Sequence, residues 1–425
     1  MYLKCCGIDF GTTNSAISVM RKDDSPTLVS FDDNKITIPT AIFFPESNTF
    51  SPLFGRKAVA SYINGEQGRF MRSLKRILGT DLMDLKTEVN EIYLNYDDII
   101  KNFINHLKET AQSQINNTLD SVVLGRPVHF QDFAPEEDAK AESMLKKIAH
   151  SIGFKNVSFQ YEPIAAAFAH ESKLEDELLA CVIDIGGGTS DFSIIRLGGK
   201  SRQKIDRKND ILANTGIRIG GNDFDSDLSL KSFMPHFGYK TMLKPDDYIN
   251  RILPIPHQPY VMLSEWSSVN SLYTYSSQKS IKEIYTRSAE PEKVINLYET
   301  IEKELGHNLL DKIEEGKILL SSNNKHTTTL SFLSNSPTIT MDIESFETAI
   351  LKNTQKIVSS LDECLSLAQI TRKDIELIIL TGGSTEIPYI KNSILNMFPN
   401  AQISQEDKLS SVALGLSHEA IRIYR

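Results

Sequence analysis

Apolar residues at the start of the chain gather in short runs punctuated by Gly, Asp, Asn and Pro: Leu3 to Asp9, Ser15 to Met20 and Thr37 to Phe44. Runs of this length closed by turn formers predict a hairpin-rich sheet. From Asp97 to Ala111 the period changes. Ile100, Phe103, Ile104 and Leu107 fall three and four residues apart, the single apolar stripe of a helix. A strand at Val122 to Leu124 follows. Pro135, with Glu136, Glu137 and Asp138 behind it, predicts a second helix to about Ile152, because proline suits the first helical turn and acids favour the positive end of the helix dipole. Val157 to Gln160 reads as a further strand. Ile375 to Leu380 reads as a late one, closed by Gly382, Gly383 and Ser384 and continued by a helical pattern through Pro388, Ile390 and Ile394. Residues from about 228 to 300, with Pro254, Pro256, Pro259 and Trp266, predict a smaller, partly helical subdomain, and Ser411 to Arg425 reads as mixed strand and helix.

One pattern occurs twice. Ile8-Asp9-Phe10-Gly11-Thr12-Thr13 and Ile183-Asp184-Ile185-Gly186-Gly187-Gly188-Thr189 are each an apolar strand, an aspartate and a turn of small residues. Each turn returns as a strand, Ala16 to Met20 and Phe192 to Leu197, and the two aspartates stand roughly 175 residues apart. A repeated supersecondary unit predicts two related lobes, residues 1–175 and 176–425, in an α/β fold.

Composition sets limits on the function. With 425 residues, 40% hydrophobic and 24% charged, the chain can bury more than one core. The net charge is -9 and Lys and Arg are scattered, so the electrostatic footprint of a nucleic-acid binder is missing. No apolar run reaches the roughly 18 residues of a membrane span, and Met1 to Cys6 lacks the features of a secretory signal. A cytoplasmic protein without a membrane partner is expected. Cys5, Cys6, Cys181 and Cys364 have no metal-site spacing and read as reduced, three of them in buried strands. His106 and His129 have no second ligand near them in sequence, which argues against a histidine metal site.

Turns rich in Gly and Thr aim backbone N–H groups and hydroxyls at one place, an arrangement suited to phosphate oxygens. Thr12, Thr13 and Thr189 add donors without bulk. Asp9, Asp184 and Asp191 would repel a bare polyphosphate, so their place beside these turns implies Mg²⁺ and its waters in between. A single glycine-rich hairpin is commonly a tight turn and nothing more. Two matching Asp-Gly turns and a Gly-Gly-Ser turn after a buried strand point to a nucleotide.

Gly7-Ile8-Asp9-Phe10-Gly11-Thr12-Thr13-Asn14-Ser15, Glu162-Pro163-Ile164-Ala165-Ala166-Ala167, Asp184-Ile185-Gly186-Gly187-Gly188-Thr189 and Leu380-Thr381-Gly382-Gly383-Ser384-Thr385 resemble the DnaK-type chaperones of the heat shock protein 70 family. The likeness covers nearly the whole chain. Gly125 to Gln131, Gln160 to Pro163 and Arg218 to Asp223 look like its bacterial YegD-like branch. The resemblance implies an actin-like ATPase fold, two related lobes with a nucleotide cleft between them, and ATP or ADP with Mg²⁺ as cofactors. It implies that Gly11, Thr12 and Thr13 form a first phosphate loop and Gly186, Gly187, Gly188 and Thr189 a second. Gly220, Gly221, Gly382, Gly383 and Ser384 match nucleoside and phosphate contacts, and Glu314 and Lys317 the ribose side. Asp9 and Asp184 match carboxylates that hold hydrated Mg²⁺, with Asp191 completing the set. Lys75 matches the catalytic lysine, and Glu162 the glutamate that orders water or metal, with Asp184 and Thr189 beside them. From spacing alone Lys75 reads as a solvated surface residue, and Glu162 as an acid at the start of a helix.

The family's pattern also breaks. The two arginines that sandwich adenine in the family correspond here to Ile318 and Glu386, and the small residues Ser410 to Gly415 lack the family's acidic pair. A peptide-binding domain after Arg425 is not expected. The reading that follows is an Mg²⁺-dependent ATP-binding, chaperone-like protein with slow hydrolysis and a protein partner or client. A small-molecule kinase of the same fold, or a nucleotide-dependent interaction module without turnover, are the other readings.

Overall fold

Two sheets with the same wiring carry the repeated hairpin. In the first, β1 (Tyr2–Phe10) runs antiparallel to β2 (Asn14–Arg21), which pairs with β3 (Pro26–Leu28), and parallel to β4 (Ser121–Arg126), which pairs with β5 (Asn156–Tyr161). In the second, β6 (Leu178–Ile185) runs antiparallel to β7 (Ser190–Leu197), beyond which lies β8 (Ile211–Ile217), and parallel to β9 (Leu377–Thr381), flanked by β10 (Gln402–Ile403). Registers coincide as well: Asp9 sits opposite Ala16 and Asp184 opposite Asp191, each at the end of a central strand. These assignments come from a computed structural model that describes residues 2–46, 51–90, 92–131, 134–171, 174–199, 207–245, 251–404 and 410–425.

The central strands are buried along most of their length because helices cover the sheets, which explains their near-continuous apolar runs. Helix α1 (Tyr96–Ile115) buries the stripe of Ile100, Phe103, Ile104 and Leu107, and α2 (Pro135–Ser151) begins at the expected proline with Glu136, Glu137 and Asp138 in its first turn. Both belong to a core with Ile8, Phe10 and Ile17. A second core joins Cys5 of β1 and Val123 of β4 to Val182 and Ile195 of the other sheet, through Ala165, Ala166 and Ala167 of α3 (Glu162–Glu171) and Leu416 of α4 (Ser411–Tyr424). Helices α3 and α4 cross closely, since a Cβ on Gly415 would lie 1.6 Å from the Ala165 carbonyl oxygen.

The chain divides into two compact units. The larger comprises residues 1–220, 356–385 and 391–425 and contains both sheets and α1 to α4, and the smaller comprises 221–355 and 386–390. The smaller unit includes the helices Gly221–Leu228, Tyr275–Arg287, Pro291–Glu302 and Gly306–Leu320 and a strand pair, Lys325–Thr329 with Thr338–Asp342. Residues 246–250 of the stretch expected as a subdomain lie outside the described residues.

Two expectations change. Thr37 to Phe44 is not one strand but two, Ile38–Pro39 and Ala41–Pro45, in different sheets. Thr40, between the two strands and outside both, donates its backbone N–H to the Thr13 carbonyl. The end of the chain, expected as strand and helix, is the single helix α4. All four cysteines are free and buried. Among the described residues no helix is long and apolar enough to cross a membrane.

Candidate functional site

The two hairpin turns meet within the larger unit. A Cβ on Gly187 would lie 1.8 Å from Thr13 Oγ1, and one on Gly188 would lie 2.6 Å from Thr12 Oγ1, so only glycine lets the turns approach this closely. Thr40 braces the first turn from behind: its N–H donates to the Thr13 carbonyl and its Oγ1 to the Gly11 carbonyl, both at 2.8 Å. In the second turn the Gly186 N–H closes on the Thr189 carbonyl at 3.0 Å. Gly220 rests on that turn, where a Cβ would come within 2.7 Å of the Gly188 nitrogen. The third turn, after β9, also belongs here. Gly382 takes φ +79 and packs against the Ile185 carbonyl and Asp184, while Ser384 Oγ donates to the Gly186 carbonyl at 3.0 Å. Gly383 beside them is exposed.

Charged groups converge on the same place. Lys75, only 6% exposed, lies on a one-turn 3-10 helix (Leu74–Ile77) and donates from Nζ to Glu162 Oε1 at 2.5 Å. Glu162 is the first residue of α3 and is buried. Asp191 Oδ1 accepts the Val128 N–H at 2.7 Å, and the Thr189 side chain bonds the same carboxylate. Burial, then the charge of Glu162, pushes the carboxyls of Asp9 and Asp191 up to about 7. Asp184 is raised well above its ordinary value by burial and by Glu162, Asp191 and Asp9. Burial alone would lower the Lys75 ammonium, but Glu162 and Asp9 more than offset it and hold it above its usual range.

Four carboxylates and one ammonium leave an excess of buried negative charge, and oxygen donors of this kind suit a hard divalent cation. Among the described residues no three His, Cys, Asp or Glu stand together closely enough to hold a bare metal ion.

The remaining expected residues belong to the smaller unit. There the Lys317 ammonium donates to the Gly221 carbonyl at 3.1 Å and pairs with Asp225 at 2.8 Å. Glu314 is half-buried one helical turn before Ile318, an apolar side chain left 59% exposed on the helix Gly306–Leu320. Glu386 is exposed. The structure thus gathers Asp9, Gly11, Thr12, Thr13, Lys75, Glu162, Asp184, Gly186 to Thr189, Asp191, Gly220, Gly382 and Ser384 in one unit, and Gly221 with Lys317 in the other.

Some contributors carry no sequence signal. Thr40 looks like an ordinary strand residue, and Val128 acts through its backbone N–H. Gln131 and Arg218 stand out in sequence only as motif positions, yet both reach the segment that bears Lys75: Arg218 Nη2 donates to the Arg76 carbonyl at 2.9 Å and Gln131 Nε2 to the Leu78 carbonyl at 2.7 Å.

Comparison with known proteins is consistent with this geometry. The family model described as Hsp70 protein matches residues 5–97 and 279–420, more than half of the chain, and the one described as MreB/Mbl protein matches 89–234. Similar curated proteins include the Chaperone protein DnaK of Thermosipho melanesiensis, 25% identical over 420 residues that cover 97% of this chain and 58% of that protein. The Chaperone protein HscA homolog of Shewanella piezotolerans is 24% identical, with 97% and 57% covered. The HscA homolog of Rickettsia africae is 26% identical, with 97% and 56% covered. The chain spans just over half the length of the curated relatives it matches. The mixed α/β architecture with its repeated sheet is the actin-like ATPase fold of the matching families.

Proposed function

We propose that this chain, which belongs to the Hsp70 family, binds an adenine nucleotide with Mg²⁺ and hydrolyses ATP slowly, with closure of its two related lobes on nucleotide coupled to a protein partner or client. The observation that carries the reading is the ion pair of Lys75 and Glu162 among three aspartates, beside two turns in contact through Gly187 with Thr13 and Gly188 with Thr12. The motifs at Gly125 to Gln131, Gln160 to Pro163 and Arg218 to Asp223 support a place in the YegD-like branch, and a cytoplasmic location is part of the same reading.

In this reading the N–H groups of Gly186 to Gly188 and the hydroxyls of Thr12, Thr13 and Thr189 receive phosphate oxygens. Mg²⁺, when bound, neutralises polyphosphate charge and polarises the phosphoryl oxygens. Asp9, Asp184 and Asp191 are the residues that would hold the hydrated cation. Lys75 faces the developing charge on the terminal phosphate, and Glu162 orients the attacking water while it holds the ammonium in place. The family resemblance assigns Gly220, Gly221, Glu314, Lys317, Gly382, Gly383 and Ser384 to the nucleoside side. Exposed Ile318 and Glu386 in place of the family's arginines suit weaker adenine stacking than in relatives.

Titration calorimetry of ATP and ADP with Mg²⁺, followed by phosphate-release assays on the same samples, tests the reading. Wild type is expected to bind both nucleotides and release phosphate. Lys75→Ala is expected to bind within about tenfold of wild type while turnover falls about 10²–10³-fold, the usual loss for one group stabilising transition-state charge. Absence of binding by wild type at millimolar nucleotide would sink it.

A further inference from the structure

Lys75 rides on a support that is weak by itself. The turn Leu74–Ile77 is closed by short-range bonds, Arg76 N–H to the Ser73 carbonyl at 3.1 Å and Leu78 N–H to the Lys75 carbonyl at 3.3 Å. It also starts from Ser73 at φ +60, a left-handed conformation that costs energy in a residue with a Cβ. A flexible four-carbon side chain on one such turn has no fixed reach.

Two carbonyls just beyond Lys75 are taken by side chains from elsewhere. Arg218, in the turn after β8, uses both arms of its guanidinium: Nη2 donates to the Arg76 carbonyl at 2.9 Å and Nη1 to Gln131 Oε1. Gln131 in turn donates from Nε2 to the Leu78 carbonyl at 2.7 Å, so one amide is fixed at both ends. The anchors of this clamp are the loops that shape the rest of the site. Gln131 follows Val128, whose N–H holds Asp191, and Arg218 precedes Ile219, whose carbonyl accepts Ser190 Oγ at 2.7 Å beside the second hairpin turn.

We propose that Arg218 and Gln131 are positioning residues that grip the Lys75 turn by its backbone carbonyls and so keep the Lys75 ammonium on Glu162. The proposal rests on the role given to Lys75 above. The guanidinium fork meets its two acceptors with a fixed planar geometry, so Arg218→Lys keeps the charge and a donor but weakens the clamp.

Two measurements test it. In the first, turnover and nucleotide affinity are compared for Arg218→Met and Gln131→Leu, alone and in the Lys75→Ala background. Turnover is expected to fall about tenfold or more with affinity changed less than about threefold, and to fall no further once Lys75 is gone, because residues acting as a unit are non-additive. An equal loss in both backgrounds overturns the proposal. In the second, lysine is labelled with nitrogen-15 in its side chain, and the Lys75 ammonium signal is assigned by its loss in Lys75→Ala. The signal is expected to be sharp in wild type, broadened away in Arg218→Met and Gln131→Leu, and partly recovered in Arg218→Lys. An unchanged signal in the first two variants overturns the clamp whether or not the protein hydrolyses ATP. If wild type releases no phosphate, the proposed function fails while the ammonium signal still decides the clamp. If both variants lose the wild-type melting transition, the pair serves folding and the proposal is overturned.

Discussion

Three of the site's carboxylates have a glycine at their backs. An added Cβ would stand 3.1 Å from the Glu162 Cγ at Gly125, 2.6 Å from Asp184 Oδ1 at Gly382 and 2.6 Å from Asp191 Oδ1 at Gly216. These glycines provide the room that lets like charges crowd together. Gly216→Ala is expected to displace the Asp191 carboxylate from the Val128 N–H, and to weaken the Mg²⁺-dependent part of ATP affinity about tenfold, the size of one charge-assisted hydrogen bond. Calorimetry with and without Mg²⁺ reads this directly, and an equal change under both conditions would remove Asp191 from the cation's water shell. At this scale the turns themselves were legible, while the burial of Lys75 was not legible from its spacing, which reads as a solvated surface residue. Asp and Gly announce themselves by type and spacing, whereas Lys75 is brought inside by Ser73 in a left-handed turn and by contacts from Glu162, 87 residues away.

Among the elements, the hairpin was the most legible because its whole signal is local: an apolar run, an acid, a small-residue turn and a return strand. Its two copies build sheets with matching neighbours, an antiparallel partner on one side and a parallel one on the other. The split of Thr37 to Phe44 was hidden because its two halves pair with different strands, Ile38–Pro39 with β2 and Ala41–Pro45 with Leu53–Phe54 and Gly68–Arg72, and no local signal marks the change of sheet. The crossing of α3 and α4 was not visible, although small residues stand among Ser410 to Gly415. What those residues permit is contact between helix backbones, with Gly415 against the Ala165 carbonyl. Gly415→Val is expected to destabilise the fold by at least the ~1–3 kcal/mol typical of overpacking a tight interface, since the neighbour is backbone and cannot rotate aside. Urea unfolding measures the loss; an unchanged midpoint would mean that the helices separate at little cost. Because α3 begins at Glu162, the same variant is also expected to lower turnover.

For the whole molecule, the repeated sheet was legible, but the makeup of the smaller unit was not, because residues 386–390 join 221–355 only through contacts across the chain. The site's excess negative charge has its consequence at this scale, in stability. Asp9 and Asp191 have an ordinary value of 3.8 and stand near 7 when folded, so the native protein holds protons there that the unfolded chain releases. Stability from these two groups is fully present below about pH 4 and is lost as pH rises through 7. His106 and His236 act the other way, because burial lowers their values and their charging destabilises the fold as pH falls. The difference between wild type and Asp9→Asn or Asp191→Asn cancels the histidines. Without ligand, each variant is therefore expected to gain melting temperature relative to wild type as pH rises from 5 to 8. With Mg²⁺ and ADP bound, the cation favours the charged carboxylates, so the stabilisation that ligand gives wild type is expected to grow over the same range and to grow less in each variant, which has one such carboxylate fewer. Melting curves at both ends of the range, with and without Mg²⁺ and ADP, make the comparison. A ligand shift independent of pH would mean that these carboxylates take no part in holding the cation.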